Sequence, residues 1–216
     1  MIAINPARKN PTTYRIVLLF VYVSIVSACA STGPSGTPAH IEIQSEVGFT
    51  ITENAHISGG LRSDYEQALA LLEQGDHDRG LAMLEAVVEA APHLSAPRID
   101  LGVAYHRDGN LEAAEENLLL ALDANPDHPI AHNELGIVYR KTGRFTKARQ
   151  SYLAALAIYP GYHYARRNLA ILCDLYLADL DCALDNYEAY MAAVPGDDEA
   201  SIWIADIRMR MGQLEN

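Results

Sequence analysis

The feature that most constrains this chain is a stretch of 34 residues that occurs twice in succession without a gap. Residues 95–128 and 129–162 align in register, and both carry Leu-Gly, a Tyr, a turn Gly, two Ala and a closing Pro at matching positions. Apolar residues recur at three- and four-residue spacing on either side of the turn Gly. This period predicts two helices per copy, and the Pro marks the end of each pair. The repeated unit is therefore predicted to be a helical hairpin.

Small residues inside the predicted helices indicate close packing between the two helices of a hairpin. Gly102 and Ala114 in one copy correspond to Gly136 and Ala148 in the other. A glycine inside a helix costs about 1 kcal/mol relative to alanine, and closer packing can offset this cost. The larger side chains expected to fill the space beside the small ones are Tyr105, Leu118, Tyr139 and Tyr152.

Two weaker copies flank the central pair. In residues 61–94, Ala68 stands at the glycine position, whereas the turn Gly and the closing Pro stay in register. Residues 163–197 hold Ala170 at the glycine position and then gain one residue, so that the later matches come one place late. The remaining residues, 198–216, predict one capping helix and a short tail.

The order of these residues resembles that of the tetratricopeptide repeat family, whose unit has this length. The resemblance implies an all-α, right-handed superhelix of about four hairpins over residues 61–197, in which the first helices line a concave groove. In that family the groove commonly holds an extended peptide or a partner helix. The residues that helical spacing assigns to the groove here are Tyr65, Leu69, Ile99, Val103, His106, Asn133, Ile137, Arg140, Tyr164, Arg167 and Ile171.

The first 28 residues have the layout of an export signal. Three basic residues precede an apolar run at residues 16–26, which has 11 residues, whereas a membrane-spanning helix needs roughly 20. The following "VSAC", residues 26–29, resembles the bacterial lipobox, which implies acylation of Cys29 after cleavage. Ala30 follows, where an Asp would imply retention in the inner membrane, so the resemblance implies an outer-membrane lipoprotein facing the periplasm. The alternative is an ordinary secretory signal with an incidental cysteine.

Residues 29–60 lead from the proposed anchor to the repeats. Residues 29–39 are rich in Gly, Pro and Ser and predict a flexible tether. In residues 40–60, apolar and polar residues alternate with a period of two, which is typical of strands. Either this segment lies extended along the first helix, or it offers a strand to the sheet edge of a partner.

Charge and missing motifs exclude several function classes. Without residues 1–28, the chain has 13 basic and 28 acidic side chains, a formal charge of −15. This charge repels nucleic acid, and no Lys/Arg cluster along the sequence could bind a row of phosphates. Walker-type loops, zinc-protease motifs, nucleophile elbows and Cys-x-x-Cys pairs are absent from the sequence. His128 and His132 lie four residues apart, a spacing that could place two metal ligands on one helical face. Pro129, however, predicts that a helix begins between them, and no third ligand is evident nearby in the sequence. We expect no enzyme activity, cofactor or metal.

Cys173 and Cys182 remain once Cys29 is assigned to the lipid anchor. An oxidising compartment favours their pairing, and the predicted turn between them brings them onto facing sides of the fourth hairpin. Helix axes usually lie 8 to 10 Å apart, whereas a disulfide needs Cα atoms within about 6.8 Å. The sequence leaves two alternatives, a disulfide or two buried thiols.

These observations lead us to expect a lipid-anchored adaptor that acts by binding a protein or peptide. By analogy with other lipoproteins of this repeat type, the favoured role is assembly of an outer-membrane pilus or secretion machine. The alternative is a structural envelope factor that holds cell-wall synthases or folding machinery near the membrane. The sequence identifies neither the partner nor the oligomeric state.

Overall fold

The computed structural model describes residues 40–44, 48–52 and 57–214. The predicted signal segment, Cys29 and the predicted tether lie outside these described residues. Within the described part of the chain, no helix combines the length and the apolar character needed to cross a membrane.

Two short strands precede the helices. Strands β1 (His40–Gln44) and β2 (Gly48–Thr52) pair in antiparallel fashion. The register sets His40 opposite Thr52 and Ile43 opposite Phe49. The period of two in this segment therefore corresponds to a small hairpin, a point that the sequence had left open.

Nine α-helices follow within the described residues. Helix α1 begins at Gly59, where the Ser58 hydroxyl accepts a hydrogen bond from the backbone N–H of Leu61 at 3.2 Å and caps the helix. The helices are α1 (Gly59–Glu73), α2 (His77–Ala90), α3 (Ser95–Arg107), α4 (Leu111–Ala124), α5 (Pro129–Lys141), α6 (Phe145–Ile158), α7 (His163–Leu172), α8 (Leu180–Ala193) and α9 (Asp198–Leu214).

The helices pair in sequence order and the pairs stack. Helices α1 and α2, α3 and α4, α5 and α6, and α7 and α8 form four hairpins, and the second helix of each packs on the first helix of the next unit. Helix α9 packs on α8 and ends the stack. The predicted all-α superhelix of four hairpins and a capping helix is confirmed.

The two mid-helix glycines lie where paired helices touch. A Cβ atom at Gly136 would be 2.5 Å from Cε1 of Tyr152, and one at Gly102 would be 2.8 Å from Cγ of Leu118. Tyr152 and Leu118 are fully buried. Because carbon atoms in contact lie about 3.5 to 4.0 Å apart, only glycine allows this approach. The predicted packing role of the small residues is confirmed.

The fourth hairpin absorbs its extra residue in a π-helical segment. In the two central hairpins the turns contain Gly109 and Gly143 with φ of 85° and 74°. In the fourth, α7 continues as a π-helix, Cys173–Leu177, and Ala178 takes the left-handed conformation with φ 52°. A π-helix holds one residue more per hydrogen-bonded turn than an α-helix. We call this segment the π turn.

Side chains from α8 and α9 hold the π turn in place. Cys173 and Cys182 are joined by a disulfide, with their Cα atoms 5.9 Å apart. Asp174 forms an ion pair with Arg210 of α9. Trp203 of α9 packs on Tyr187, with 5.3 Å between the ring centroids. The start of the π turn is therefore tied to both α8 and α9.

Candidate functional site

The first helices of the hairpins form the inner layer of the stack. Helix α3 contacts α5, and α5 contacts α7, more extensively than the second helices contact one another. This arrangement curves the stack so that α1, α3, α5 and α7 line its inner face. We call this face the groove and consider it the candidate site.

Most of the residues predicted to line the groove are half-buried on these helices. Two others are buried: Ile99 is 4% exposed and Asn133 is 2% exposed, so both pack between helices and offer little surface to a ligand. Tyr164 is exposed. The half-buried residues are Tyr65, Leu69, Val103, His106, Ile137, Arg140, Arg167 and Ile171.

A cavity of about 240 Å³ opens in the groove between α1 and α3. Leu69 and Val103, both predicted groove residues, form part of its apolar wall. The remaining wall residues are Leu72, Glu73, His77, Asp100, Ala104 and Arg107. The apolar wall with polar groups at its margin is typical of a pocket for a side chain of a bound peptide.

Two carboxylates in the inner layer were missed by the sequence analysis. Asp100 accepts a hydrogen bond from the Tyr65 hydroxyl, and burial raises the pKa of its carboxyl group. Glu134 accepts a hydrogen bond from Asn133 at 3.0 Å, and burial raises its pKa too. The two residues are 34 positions apart, one place after the predicted residues Ile99 and Asn133. That spacing is the signal that could have identified them.

Asn133 serves as a structural link. Its side-chain oxygen accepts a hydrogen bond from Asn168 at 2.9 Å, which ties α5 to α7. Its side-chain nitrogen donates to Glu134. Because both polar ends are satisfied, this buried amide stabilises the stacking of the third and fourth hairpins.

Four basic side chains lie at the edge of the groove next to the hairpin turns. His106 and Arg107 belong to the last turn of α3, and Arg140 and Lys141 to the last turn of α5. Burial lowers the pKa of His106, and the nearby charges of Lys141, Arg107 and Arg140 lower it further. The imidazole is therefore neutral at pH 7 and faces three cations.

The far end of the groove is covered by α9. The Arg167 guanidinium lies over the Trp203 ring, 5.2 Å from its centroid, and pairs with Glu199 at 3.5 Å. Arg167 is therefore engaged within the chain.

The two histidines considered as metal ligands have structural roles. His128 is buried and caps α5 by accepting the backbone N–H of Ala131 on Nδ1 at 3.4 Å. His132 donates from Nε2 to the carbonyl oxygen of Pro126 at 2.9 Å. These two contacts tie the loop before α5 to the helix.

The family model of the tetratricopeptide repeat matches the chain twice, over residues 65–123 and 99–163. Residues 65–163 are tetratricopeptide repeats. The match supports the predicted repeat family over this range, and the fourth hairpin and α9 extend the same stack beyond it. No curated protein matches the sequence.

Solved tetratricopeptide-repeat structures are similar to this chain. A thermophilic repeat protein of Thermus thermophilus is 27% identical, with a TM-score of 0.59 over 69% of this chain and 81% of that one. PilF of Pseudomonas aeruginosa is 18% identical, with a TM-score of 0.64 over 71% of this chain and 69% of PilF. The first repeat domain of Spaghetti, bound to an HSP90 peptide, is 20% identical, with a TM-score of 0.52 over 55% of this chain and 93% of that domain. The latter two similarities show the fold alone.

Proposed function

We propose that this chain is a lipid-anchored adaptor that captures a segment of a partner protein in its groove. The observation that carries the proposal is the inner face of the repeats, where Leu69, Val103 and Ile137 remain partly accessible and Leu69 and Val103 line a cavity of about 240 Å³. Apolar anchors in such a groove supply affinity, and the charges around it orient the ligand. The Spaghetti domain with its HSP90 peptide supports peptide capture by this fold.

We place the adaptor at the outer membrane, facing the periplasm, through a lipid on Cys29. The "VSAC" segment after a short apolar run supports this assignment. Several acyl chains together anchor a protein stably, whereas a single chain does not. Cys29→Ser should abolish labelling by a palmitate analogue and release the protein from the membrane fraction. Labelling that persists in Cys29→Ser would contradict the anchor.

Within the envelope, we propose a role in assembling a pilus or secretion machine. The similarity in fold to PilF is compatible with this role. The identity of the partner recovered from native membranes distinguishes this role from that of a structural envelope factor. Pilus or secretion components support the assembly role, and cell-wall synthases would contradict it. In either role the chain works by binding.

The groove is tested by a pair of matched double variants. Val103→Asp with Ile137→Asp puts two charges on the inner face, where they should abolish partner capture and leave the helical circular dichroism unchanged. The control, Leu119→Asp with Leu153→Asp, makes the same change at exposed positions of α4 and α6 in the same repeats. Capture should survive in the control. Capture that survives in the groove variant, or is lost equally in both, would refute the proposal.

A further inference from the structure

The edge of the groove carries cations that form no ion pair within the described residues. Arg107, Arg140 and Lys141 take part in none of the ion pairs found in this part of the chain, although six other arginines do. Buried nitrogen atoms of His106 (Nε2) and Arg140 (Nε) also have no hydrogen-bond partner there. Other basic side chains, such as Arg62 and Lys147, also form no ion pair in this part of the chain. What distinguishes Arg107, Arg140 and Lys141 is that they lie together at one edge of the groove.

Helix electrostatics explains only part of this arrangement. Backbone carbonyl groups at a helix C-terminus favour basic side chains in the last turn. Helices α1 and α7 nevertheless have no basic residue in their last turns. Among the first helices, cations in the last turn are therefore confined to α3 and α5, and their charges lower the pKa of His106.

The π turn adds an exposed apolar surface next to these cations. Leu175 is 66% exposed and Tyr176 is 43% exposed. The Tyr176 ring centroid lies 4.9 Å from that of Phe145 and 5.8 Å from Cζ of Arg140. In each of the three earlier units, the residue at the position that corresponds to Leu175 is polar. These residues are Glu73, Arg107 and Lys141.

The extra residue of the fourth unit thus has a defined consequence. The Cys173–Cys182 disulfide and the Asp174–Arg210 ion pair hold the start of the turn in place, and Leu175 and Tyr176, which follow directly, are exposed. A π-helical segment within a helix frequently marks a functional site. Large apolar side chains kept exposed on a restrained segment indicate a binding surface.

We infer that this edge binds a segment of the partner in which acidic residues lie next to large apolar residues. The inference rests on the proposed function and specifies its ligand. We call the site the turn-edge surface. Its residues are His106, Arg107, Arg140, Lys141, Leu175 and Tyr176.

Charge complementarity is the argument for this ligand. Guanidinium groups bind carboxylates through paired, charge-assisted hydrogen bonds, and neither Arg107 nor Arg140 is in an ion pair within the described residues. Asp100 and Glu134 lie near Arg107 and partly balance its charge, whereas the half-buried Arg140 interacts with Tyr152 and Tyr176. The exposed side chains of Arg107 and Lys141 are therefore the ones that a carboxylate of the partner can reach. Elsewhere the acidic chain repels an anionic segment, so this edge also determines where such a segment docks.

Peptide display on the chain from residue 30 to residue 216 tests the inference. We expect a random peptide library selected on this protein to yield sequences with Asp or Glu beside Leu, Phe or Tyr. The variant Arg107→Gln with Lys141→Gln changes two exposed side chains and should therefore fold normally. An enriched peptide should bind it at least tenfold more weakly than wild type by fluorescence anisotropy. Leu175→Ser should weaken the same peptide severalfold.

A charge-matched control is available on the outer side of the hairpins. Arg79→Gln with Arg208→Gln removes the same charge from two exposed arginines of α2 and α9, and affinity should change less than twofold. Enriched peptides without acidic residues, or equal losses in the control and in the turn-edge variant, would overturn the inference. Binding of anionic vesicles or oligonucleotides that depends on Arg107 and Lys141 would overturn it in favour of another ligand class.

The same selection separates this inference from the proposed function. In one outcome, an enriched peptide fails to bind the variant Val103→Asp with Ile137→Asp and still binds the turn-edge variant as tightly as wild type. That result would support the groove and refute only the turn-edge surface. A selection that enriches no peptide, or only peptides insensitive to both variants, refutes both proposals.

Discussion

Replacing Gly136 with a larger residue tests the packing of the repeats. A Cβ atom at this position would lie 2.5 and 2.6 Å from two carbons of the buried Tyr152 ring. To restore ordinary contact at about 3.5 Å, the ring or the helix must shift by roughly 1 Å. Overpacking of this kind costs about 1 to 3 kcal/mol. The fourth unit has the buried Ala170 at the position that corresponds to Gly136, so leucine, and not alanine, is the decisive substitution.

We therefore expect Gly136→Leu to lower the free energy of unfolding by about 1 to 3 kcal/mol. Each kcal/mol corresponds to a fall in Tm of roughly 2 to 4 °C for a domain of this size. Thermal and urea unfolding, followed by circular dichroism, measure both quantities. Gly212→Leu in α9 is the control, because a Cβ atom added at Gly212 would have no neighbouring atom within 4 Å, and this variant should unfold like wild type.

A double-mutant cycle identifies the cause of the loss. Tyr152→Ala removes the ring with which the new side chain collides, so Gly136→Leu should cost less in that background than in wild type. An unchanged Tm for Gly136→Leu, or an equal cost in both backgrounds, would refute the packing explanation.

Two further predictions concern protonation and the disulfide. Burial lowers the pKa of His128 from 6.5 to about 4, so the unfolded chain takes up a proton first as the pH falls. The stability that the neutral His128 contributes is present above pH 6.5 and should decrease by roughly 3 kcal/mol between pH 6.5 and 4. His128→Asn keeps a capping side chain and should reduce this pH dependence of the free energy of unfolding, measured in urea. The same pH dependence in wild type and variant would contradict the prediction. For Cys173 and Cys182, thiol counting on denatured protein matured in the periplasm should find no free thiol, and Cys182→Ser should lower stability by about 2 to 3 kcal/mol; two free thiols per chain would rule out the bond.

The repeat architecture was predictable because its determinants are local and periodic. Gly102 and Gly136 mark the sites where helices touch, and the turn glycines recur at the same spacing. The extra residue of the fourth unit was also visible in the sequence. The π turn that absorbs it was not, because a turn, a bulge or a longer loop would satisfy the same alignment.

The groove was predicted less completely, because helical spacing gives direction but not burial. Ile99 and Asn133 are on the helices predicted to line the groove, yet both side chains are buried. Asp100 and Glu134 lie one position further on, and only the stacking of α1, α3 and α5 determines how deeply they are buried. The influence of Arg140 and Lys141 on the pKa of His106 likewise acts between units.

Site-specific photocrosslinking in native membranes tests most directly whether the groove captures a partner. A photoreactive amino acid at Val103 or Ile137 reports on the inner face, and one at Leu119 or Leu153 reports on exposed positions of the second helices in the same repeats. The proposed function predicts that both inner positions crosslink to the same partner protein and that both outer positions do not. Crosslinks to that partner from Leu119 and Leu153, with none from Val103 and Ile137, would contradict it.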